Sequence, residues 1–239
     1  MIFFDDLETR SGDERAAELA DALPRQIARA KALGGYKTTL ADITAQDVNS
    51  AMALARLPVL RKSDLSQAQG AASPFGGFTT RTATGFGHIF QSPGPIYEPG
   101  GIEMDWWRMG RFLHACGIGS DDIVQNCFAY HLTPAGMIFE SGARAVGATV
   151  LPAGTGQTEL QVRAAVDIGA TAYAGTPDYL KVILDAADEM GETLHITKAA
   201  VGGGALFPSL RQEYADRGIA CLQCYATADL GNIAYESAA

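Results

Sequence analysis

Apolar positions change their spacing partway along this chain. Over residues 1–75 they recur at helical intervals. Ser11 and Glu14 have the spacing of a capping box. Behind them Leu19, Leu23, Ile27 and Ala30 lie near one helical face. Pro24 restarts or kinks that helix, and Gly34-Gly35 closes it. Residues 44–54 and 63–69 read as two shorter helices, and Ser73-Pro74-Phe75-Gly76-Gly77 as a boundary. From Gly85 onward, short apolar runs (residues 87–91, 123–129, 148–151, 171–174, 199–201 and 219–222) alternate with helical patterns. Met109, Phe112, Leu113 and Cys116 share one helical face. Leu180, Ile183, Leu184 and Ala187 share another, behind the start signal Thr176-Pro177. Thr158 and Gln161 have the spacing of a second capping box. Strands alternating with helices predict βαβ units. The expected fold is therefore α/β, a mainly parallel sheet flanked by helices and preceded by a helical N-terminal region. The matching organisation is a helical region over residues 1–80 and an α/β core over 81–239.

Composition narrows the function classes. At 239 residues the chain can bury on the order of 70% of its unfolded surface. The net charge of −9 argues against a nucleic-acid partner, whose phosphates reward Lys and Arg. No apolar run approaches the ~20 residues of a membrane-spanning helix, so no membrane partner is expected. The opening Met1-Ile2-Phe3-Phe4-Asp5-Asp6 lacks the basic leader and apolar stretch of a signal peptide. Four cysteines are too few for a disulfide framework in a chain of this length. The cytoplasm is the expected location, and a homodimer stays open.

In parallel sheets ligands bind beyond the carboxyl ends of the strands, so the loops that follow strands carry the chemistry. Residues 91–101 contain Ser92, Gly94, Gly100 and Gly101, and glycines let a backbone approach phosphate oxygens. Three prolines in that stretch remove amide donors, it holds no lysine or threonine, and a plain surface loop is the alternative. The stretch from Phe128 to Gly136 offers aromatics, an imidazole and small residues that could line an acyl or aryl pocket. Core aromatics with a helix cap at Thr133 are the alternative there. Gly202-Gly203-Gly204 follows another run. Three glycines are costly to order, which points to close approach of a flat or bulky group; a tight turn into a helix at Pro208 is the alternative. Cys221 and Cys224 have C-x-x-C spacing, but Cys116 and Cys127 lie far off, and zinc wants four ligands. Structural thiols, a zinc site and a redox pair all remain open at this point. His88, His114 and His195 show no mutual spacing that suggests a site, and no serine occupies a nucleophile elbow.

The order of these pieces resembles the phenylacetate–coenzyme A ligase family of the adenylate-forming acyl-CoA synthetases. Leu57-Pro58-Val59-Leu60-Arg61-Lys62-Ser63-Asp64-Leu65 is similar to an early family segment. Residues 121–177, with Gly147-Ala148-Thr149-Val150 and Gly175-Thr176-Pro177, are similar to its central region. Residues 203–211 and 225–231 are similar to its nucleotide motifs. The resemblance implies that Gly203, Gly204 and Ala205 lie along an adenine on which Tyr225 stacks, with Ala226 beside it. Thr227 would contact the phosphate or acyl carbonyl, and Asp229 would sit near Mg²⁺. Ser92 and Gly94 would fall in the phosphate loop. Tyr130, His131, Ala135 and Gly136 would line the acyl pocket.

The implied reaction takes ATP, Mg²⁺, coenzyme A and a small carboxylic acid, with aryl acids among the candidates. It passes through acyl-AMP to the thioester. Three positions depart from the family pattern: the phosphate loop lacks its lysine, Gly204 stands where glutamate is usual, and Asp229 is one methylene shorter than the usual glutamate. The family's remaining nucleotide residues and small lysine-bearing C-terminal domain have no counterpart in these residues. The resemblance is therefore to an N-terminal part, and the chain taken by itself is expected to be inactive. A non-catalytic remnant that binds a nucleotide, an acyl ligand or a partner protein is the alternative.

Overall fold

The computed structural model describes residues 3–70 and 73–237. The chain divides into two compact units, one ending at Pro99 and one beginning at Gly100.

In the first unit, α1 (Gly12–Lys31) starts at the expected capping box. The Glu14 amide donates to Ser11 Oγ and the Ser11 amide to Glu14 Oε2. Pro24 lies inside the helix, which runs on past it. The expected helix over 44–54 is much shorter. Val48 leaves helical geometry after a 3-10 turn, and Ser50 caps a fresh four-residue helix, α2 (Ala51–Leu54). Then comes α3 (Lys62–Ala68). The first apolar run after Gly85 corrects the sequence reading. It forms β1 (His88–Ser92), which pairs only with β2 (Ile96–Gly100) in a two-stranded sheet and does not join the parallel one. The reason is the short Pro93-Gly94-Pro95 connection. It returns the chain directly onto β1, where a parallel neighbour would need a long crossover.

The second unit holds the α/β fold. Its elements are α4 (Gly110–Ala115), β3 (Ile123–Asn126), α5 (Ala135–Ala145), β4 (Thr149–Leu151), α6 (Thr158–Ile168), β5 (Ala172–Gly175), α7 (Pro177–Met190), β6 (Lys198–Val201), α8 (Pro208–Asp216), β7 (Ala220–Thr227) and β8 (Gly231–Tyr235). The sheet order is β4-β3-β5-β6-β7-β8. All pairs are parallel except β7–β8, which is an antiparallel hairpin with Cys224 opposite Tyr235 and a bulge between Tyr225 and Ala226.

Strand alternation divides the side chains between two helical layers. Tyr173, Val201 and Cys221 pack with Leu180 and Leu184 of α7 and with Tyr214 of α8. On the other face Phe139 of α5 stacks on Phe128, with ring centroids 4.3 Å apart, and Phe112 of α4 meets it edge-on. Burial of each such aromatic or leucine contributes about 1.5–3 kcal/mol.

Two expectations about termini are revised. Thr158 does not open a capping box, because α6 begins from Gln157 in the left-handed region. Gln161 turns inward instead. Its Nε2 donates to the carbonyls of Gly154 and Gly156, and its Oε1 accepts from Gln125 and from the Cys127 thiol. The run at 219–222 is only the start of β7, which continues through Thr227.

At the amino ends of the strands, buried Asp122 accepts from Lys198 Nζ (2.8 and 2.9 Å), Thr171 Oγ1 (2.9 Å) and the Gly119 amide (2.9 Å). Burial pushes its carboxyl pKa up. The Lys198, Gly119 and Thr171 bonds, with the Lys198 charge, outweigh that and hold it below the usual aspartate value. This cluster ties β3, β5 and β6 together at the amino-terminal end of the sheet.

Candidate functional site

The chain leaves β3 toward β4 and returns past β3 to β5, so the crossover direction reverses between β3 and β5. Ligands of open α/β sheets sit at such a switch point, beyond the carboxyl ends of the strands. Three loops meet there. A Cβ added at Gly203 would have the Phe128 ring and the Thr176 methyl as its nearest neighbours, each at 3.7 Å. The loop after β6 thus lies against those after β3 and β5.

The loop after β3 is pinned by Asn126, which is buried at the strand end. Its Nδ2 donates to Tyr130 Oη (2.7 Å) and to the Gly136 carbonyl (2.8 Å), and its Oδ1 accepts from the Phe128 amide (3.2 Å). Burial pushes the Tyr130 phenol pKa well up, the nearby Glu140 adds to this, and Asn126 partly offsets it, so the ring carries a neutral hydroxyl. Tyr130 is half-buried, His131 exposed, and Ala135 half-buried at the start of α5. Gly136 is buried beneath Tyr130. A Cβ there would meet the Ala129 carbonyl at 2.7 Å and the ring at 2.8 Å, so only glycine lets helix and ring approach this closely.

The glycine triplet divides its tasks. A Cβ at Gly202 would come within 3.0 Å of Cys224 Sγ, Gly203 has φ +71°, and Gly204 faces mostly open space. Across from this loop stands Tyr225 of β7, with 63% of its surface exposed. Gly203, Gly204, Gln223, Tyr225, Ala226 and Glu236 line one open groove of about 500 Å³, within the usual size range of small-molecule sites. Ala205 is exposed one residue further on. Thr227 ends β7, and its Oγ1 accepts from the Leu230 amide (3.2 Å). Asp229 is exposed at the hairpin tip.

The tip is braced by a segment that the sequence reading missed. The Asn232 amide donates to the Trp107 carbonyl (2.9 Å), and the Arg108 guanidinium donates to the Leu230 carbonyl. Gly231, at φ +70°, packs so closely that a Cβ would lie 2.4 Å from the Trp107 oxygen.

The structure therefore brings Gly203, Gly204, Tyr225 and Ala226 into one groove, with Thr227 and Asp229 next along the hairpin and the Tyr130 cluster on the neighbouring loop. Ser92 and Gly94 belong to the first unit. Ser92 there is buried, and its hydroxyl donates to Glu98 Oε1 (2.8 Å), which also meets Lys62 Nζ (3.1 Å). Cys221 and Cys224 are separated by alternation: Cys221 packs with Tyr214, while Cys224 sits against Gly202 on the opposite face. Both are free thiols whose pKa burial pushes up to about 12. Gln223 and Asn126 are the notable residues that the sequence reading missed. Gln223 lies two positions before Tyr225, which puts it on the same strand face once β7 is known to extend that far.

This fold is also found in a solved CoA ligase. No protein-family model matches the chain. The solved structure of 2-hydroxyisobutyryl-CoA ligase in an open conformation with 2-HIB-AMP and CoA matches it with a TM-score of 0.83 at 19% identity, over 90% of this chain and 50% of that one. The same ligase in the thioesterification state gives a TM-score of 0.82 at 20% identity, over 93% and 51%. The chain's architecture is that found in about half of this ligase.

In sequence the chain is similar to two phenylacetate–coenzyme A ligases. It is 29% identical over 163 residues to the enzyme of Aromatoleum evansii, covering 65% of this chain and 36% of that protein. It is 24% identical over 231 residues to that of Thermus thermophilus, covering 92% and 51%. The chain thus spans about half or less of the length of these curated relatives. Among the described residues no helix is long and apolar enough to cross a membrane.

Proposed function

We propose that this chain carries the adenylate-binding groove of an AMP-forming acid–thiol ligase. In the overall reaction a carboxylate oxygen attacks the α-phosphorus of ATP, giving acyl-AMP and releasing pyrophosphate. The thiolate of coenzyme A then attacks the acyl carbon and releases AMP. The observation that carries this reading is the shared groove of Gly203, Gly204, Tyr225 and Ala226. Tyr225 supplies an exposed ring face for the adenine, and the side-chain-free loop lets the base lie against backbone. Thr227 Oγ1 accepts from the Leu230 amide, which leaves the hydroxyl proton to donate to an α-phosphate oxygen. Tyr130, His131 and Ala135 flank the position of the acyl group, and the neutral Tyr130 hydroxyl orients the carboxylic acid.

Among the described residues no cluster of three or more His, Cys, Asp or Glu side chains forms a metal cage. Mg²⁺ is usually held by one or two carboxylates together with substrate phosphates and water. Asp229 would be the carboxylate. The ion would neutralise charge on the phosphates.

The test is calorimetric titration of AMP into the 239-residue protein. Parent protein is expected to bind, and Tyr225→Ala to bind about two- to tenfold more weakly, since ring stacking contributes roughly 0.5–1.5 kcal/mol. Equal affinity for parent and variant would make Tyr225 a packing residue and would remove the support for this reading.

A second reading, a protein that binds an adenylate without turning ATP over, is favoured by one observation. Ser92 is committed to Glu98 within a paired strand, where a ligase would present free phosphate-gripping groups. Pyrophosphate release from ATP with a panel of aryl and alkyl acids, measured on the product of the whole reading frame, separates the two. Turnover on the order of 1 s⁻¹ supports the ligase, and AMP binding without turnover supports the binding protein.

A further inference from the structure

The loop from Gly202 to Ala205 has almost no side chains with which to hold itself in place, yet it forms one wall of the groove. One side chain from the opposite wall grips it. Gln223 Nε2 donates to the Gly204 carbonyl (2.7 Å), and Gln223 Oε1 accepts from the Leu206 amide (3.3 Å). The two bonds straddle Ala205. Gln223 is itself fixed through its backbone. Its amide donates to Glu236 Oε2 (2.8 Å), and its carbonyl accepts from the Glu236 amide (2.9 Å). The Glu236 carboxylate is held by Arg211 Nη2 at 2.8 and 2.9 Å, and Arg211 Nη1 donates to the Cys221 carbonyl (2.9 Å). Arg211 stands on α8, the helix into which the glycine loop leads. Together with the chain itself, these bonds form a closed circuit from the loop to α8, to Glu236 just after β8, to β7 and back to the loop.

We propose that Gln223 is the positioning residue of the groove. It fixes the separation between the glycine loop and the Tyr225 ring, and so pre-sets the slot into which a planar base slides. The proposal rests on the adenylate reading given above. Pre-setting matters because a loop ordered only on binding pays its conformational entropy at that moment and weakens the complex. A glutamine suits the task because one planar amide offers a donor and an acceptor side by side, matching a carbonyl and an amide two residues apart.

The experiment uses the whole 239-residue protein with AMP as the probe. Gln223→Met keeps length and bulk but removes both bonds. It is expected to unfold within a few degrees of the parent and to bind AMP about three- to tenfold more weakly, the effect of one or two lost hydrogen bonds. The Leu206 amide should exchange its hydrogen faster in this variant, and saturating AMP should restore protection. Gln223→Glu keeps an acceptor for Leu206 but turns an oxygen toward the Gly204 carbonyl. It should protect Leu206 like the parent while still losing AMP affinity. Parent-like AMP affinity in Gln223→Met overturns the proposal and leaves the adenylate reading intact. A fall in thermal midpoint beyond about ten degrees with AMP affinity unchanged makes Gln223 a residue of the fold and also overturns it. Failure of the parent to bind AMP removes the adenylate reading, and the proposal with it.

Discussion

Tyr225 and Asp229 sit four residues apart on one hairpin, yet their proposed roles separate cleanly. An aromatic face acts on a base whether or not phosphates follow, whereas a carboxylate acts through a metal that the phosphates bring. Asp229→Asn is therefore expected to leave AMP affinity within about twofold of the parent and to weaken Mg²⁺-dependent ATP binding by about tenfold, an effect worth 1.4 kcal/mol. Paired titrations of AMP and of ATP with and without Mg²⁺ check this, and equal losses for both nucleotides would count against the assignment. The cysteines give a second residue-scale expectation. With pKa values near 12 for Cys127, Cys221 and Cys224, only about one thiol in ten thousand ionises at pH 8, and the thiolate is the reactive form. Iodoacetamide at pH 8 should leave folded protein unlabelled while labelling urea-unfolded protein fully. Rapid labelling of the folded Cys221–Cys224 pair would reopen a redox role.

At the scale of elements the hairpin β7–β8 depends on one backbone position. Gly231 combines a left-handed φ with contact against Trp107, so Gly231→Ala meets both backbone strain and a steric clash. It is expected to destabilise by roughly 2–4 kcal/mol, read as a lower urea midpoint, and to weaken nucleotide binding because the tip carries Asp229. A midpoint unchanged from the parent would contradict the packing described. Most of the strand–helix alternation was legible in the sequence, because β3 to β6 lie on short apolar runs and helices such as α4 and α7 have a periodic face. The hairpin was not. Ala226 to Asn232 reads locally as a polar loop, and only the pairing of Ala226 with Asn232 and of Thr227 with Gly231 makes its ends strands. The same limit hid the β1–β2 pair, whose glycines and prolines look alike in a phosphate loop and in a tight return. It also hid the inward turn of Gln161, whose spacing from Thr158 imitates a cap. Of the residues lining the groove, Gly203 and Gly204 stood out in the sequence as part of a glycine triplet, and Tyr225 was named through resemblance. Gln223 and Asn126 were not, because their partners are backbone groups that composition does not mark.

On the scale of the whole chain, the α/β unit is braced at its two ends by different chemistry. The edge at the carboxyl ends of the strands is held by neutral amides such as Asn126 and Gln223. The opposite edge is held by the Asp122–Lys198 ion pair. Since the folded pKa of Asp122 lies below its unfolded value, its stabilisation is present above about pH 4, the ordinary aspartate value, and is lost as pH falls through the folded pKa. Asp122→Asn should cost about 2–3 kcal/mol at pH 7 and flatten the acid limb of the stability profile. Urea titrations from pH 7 down to pH 3 check both parts, and a parent-like acid limb in the variant would refute the assignment.

The central claim is that an adenine lies between the glycine loop and the Tyr225 ring. Nuclear Overhauser measurements on the 239-residue protein with AMP test it most directly. The account predicts cross-peaks from the adenine H2 and H8 protons to the Tyr225 ring and to the α-protons of Gly203 and Gly204. AMP bound with its adenine contacts elsewhere on the chain, or no bound AMP at millimolar concentration, would contradict it.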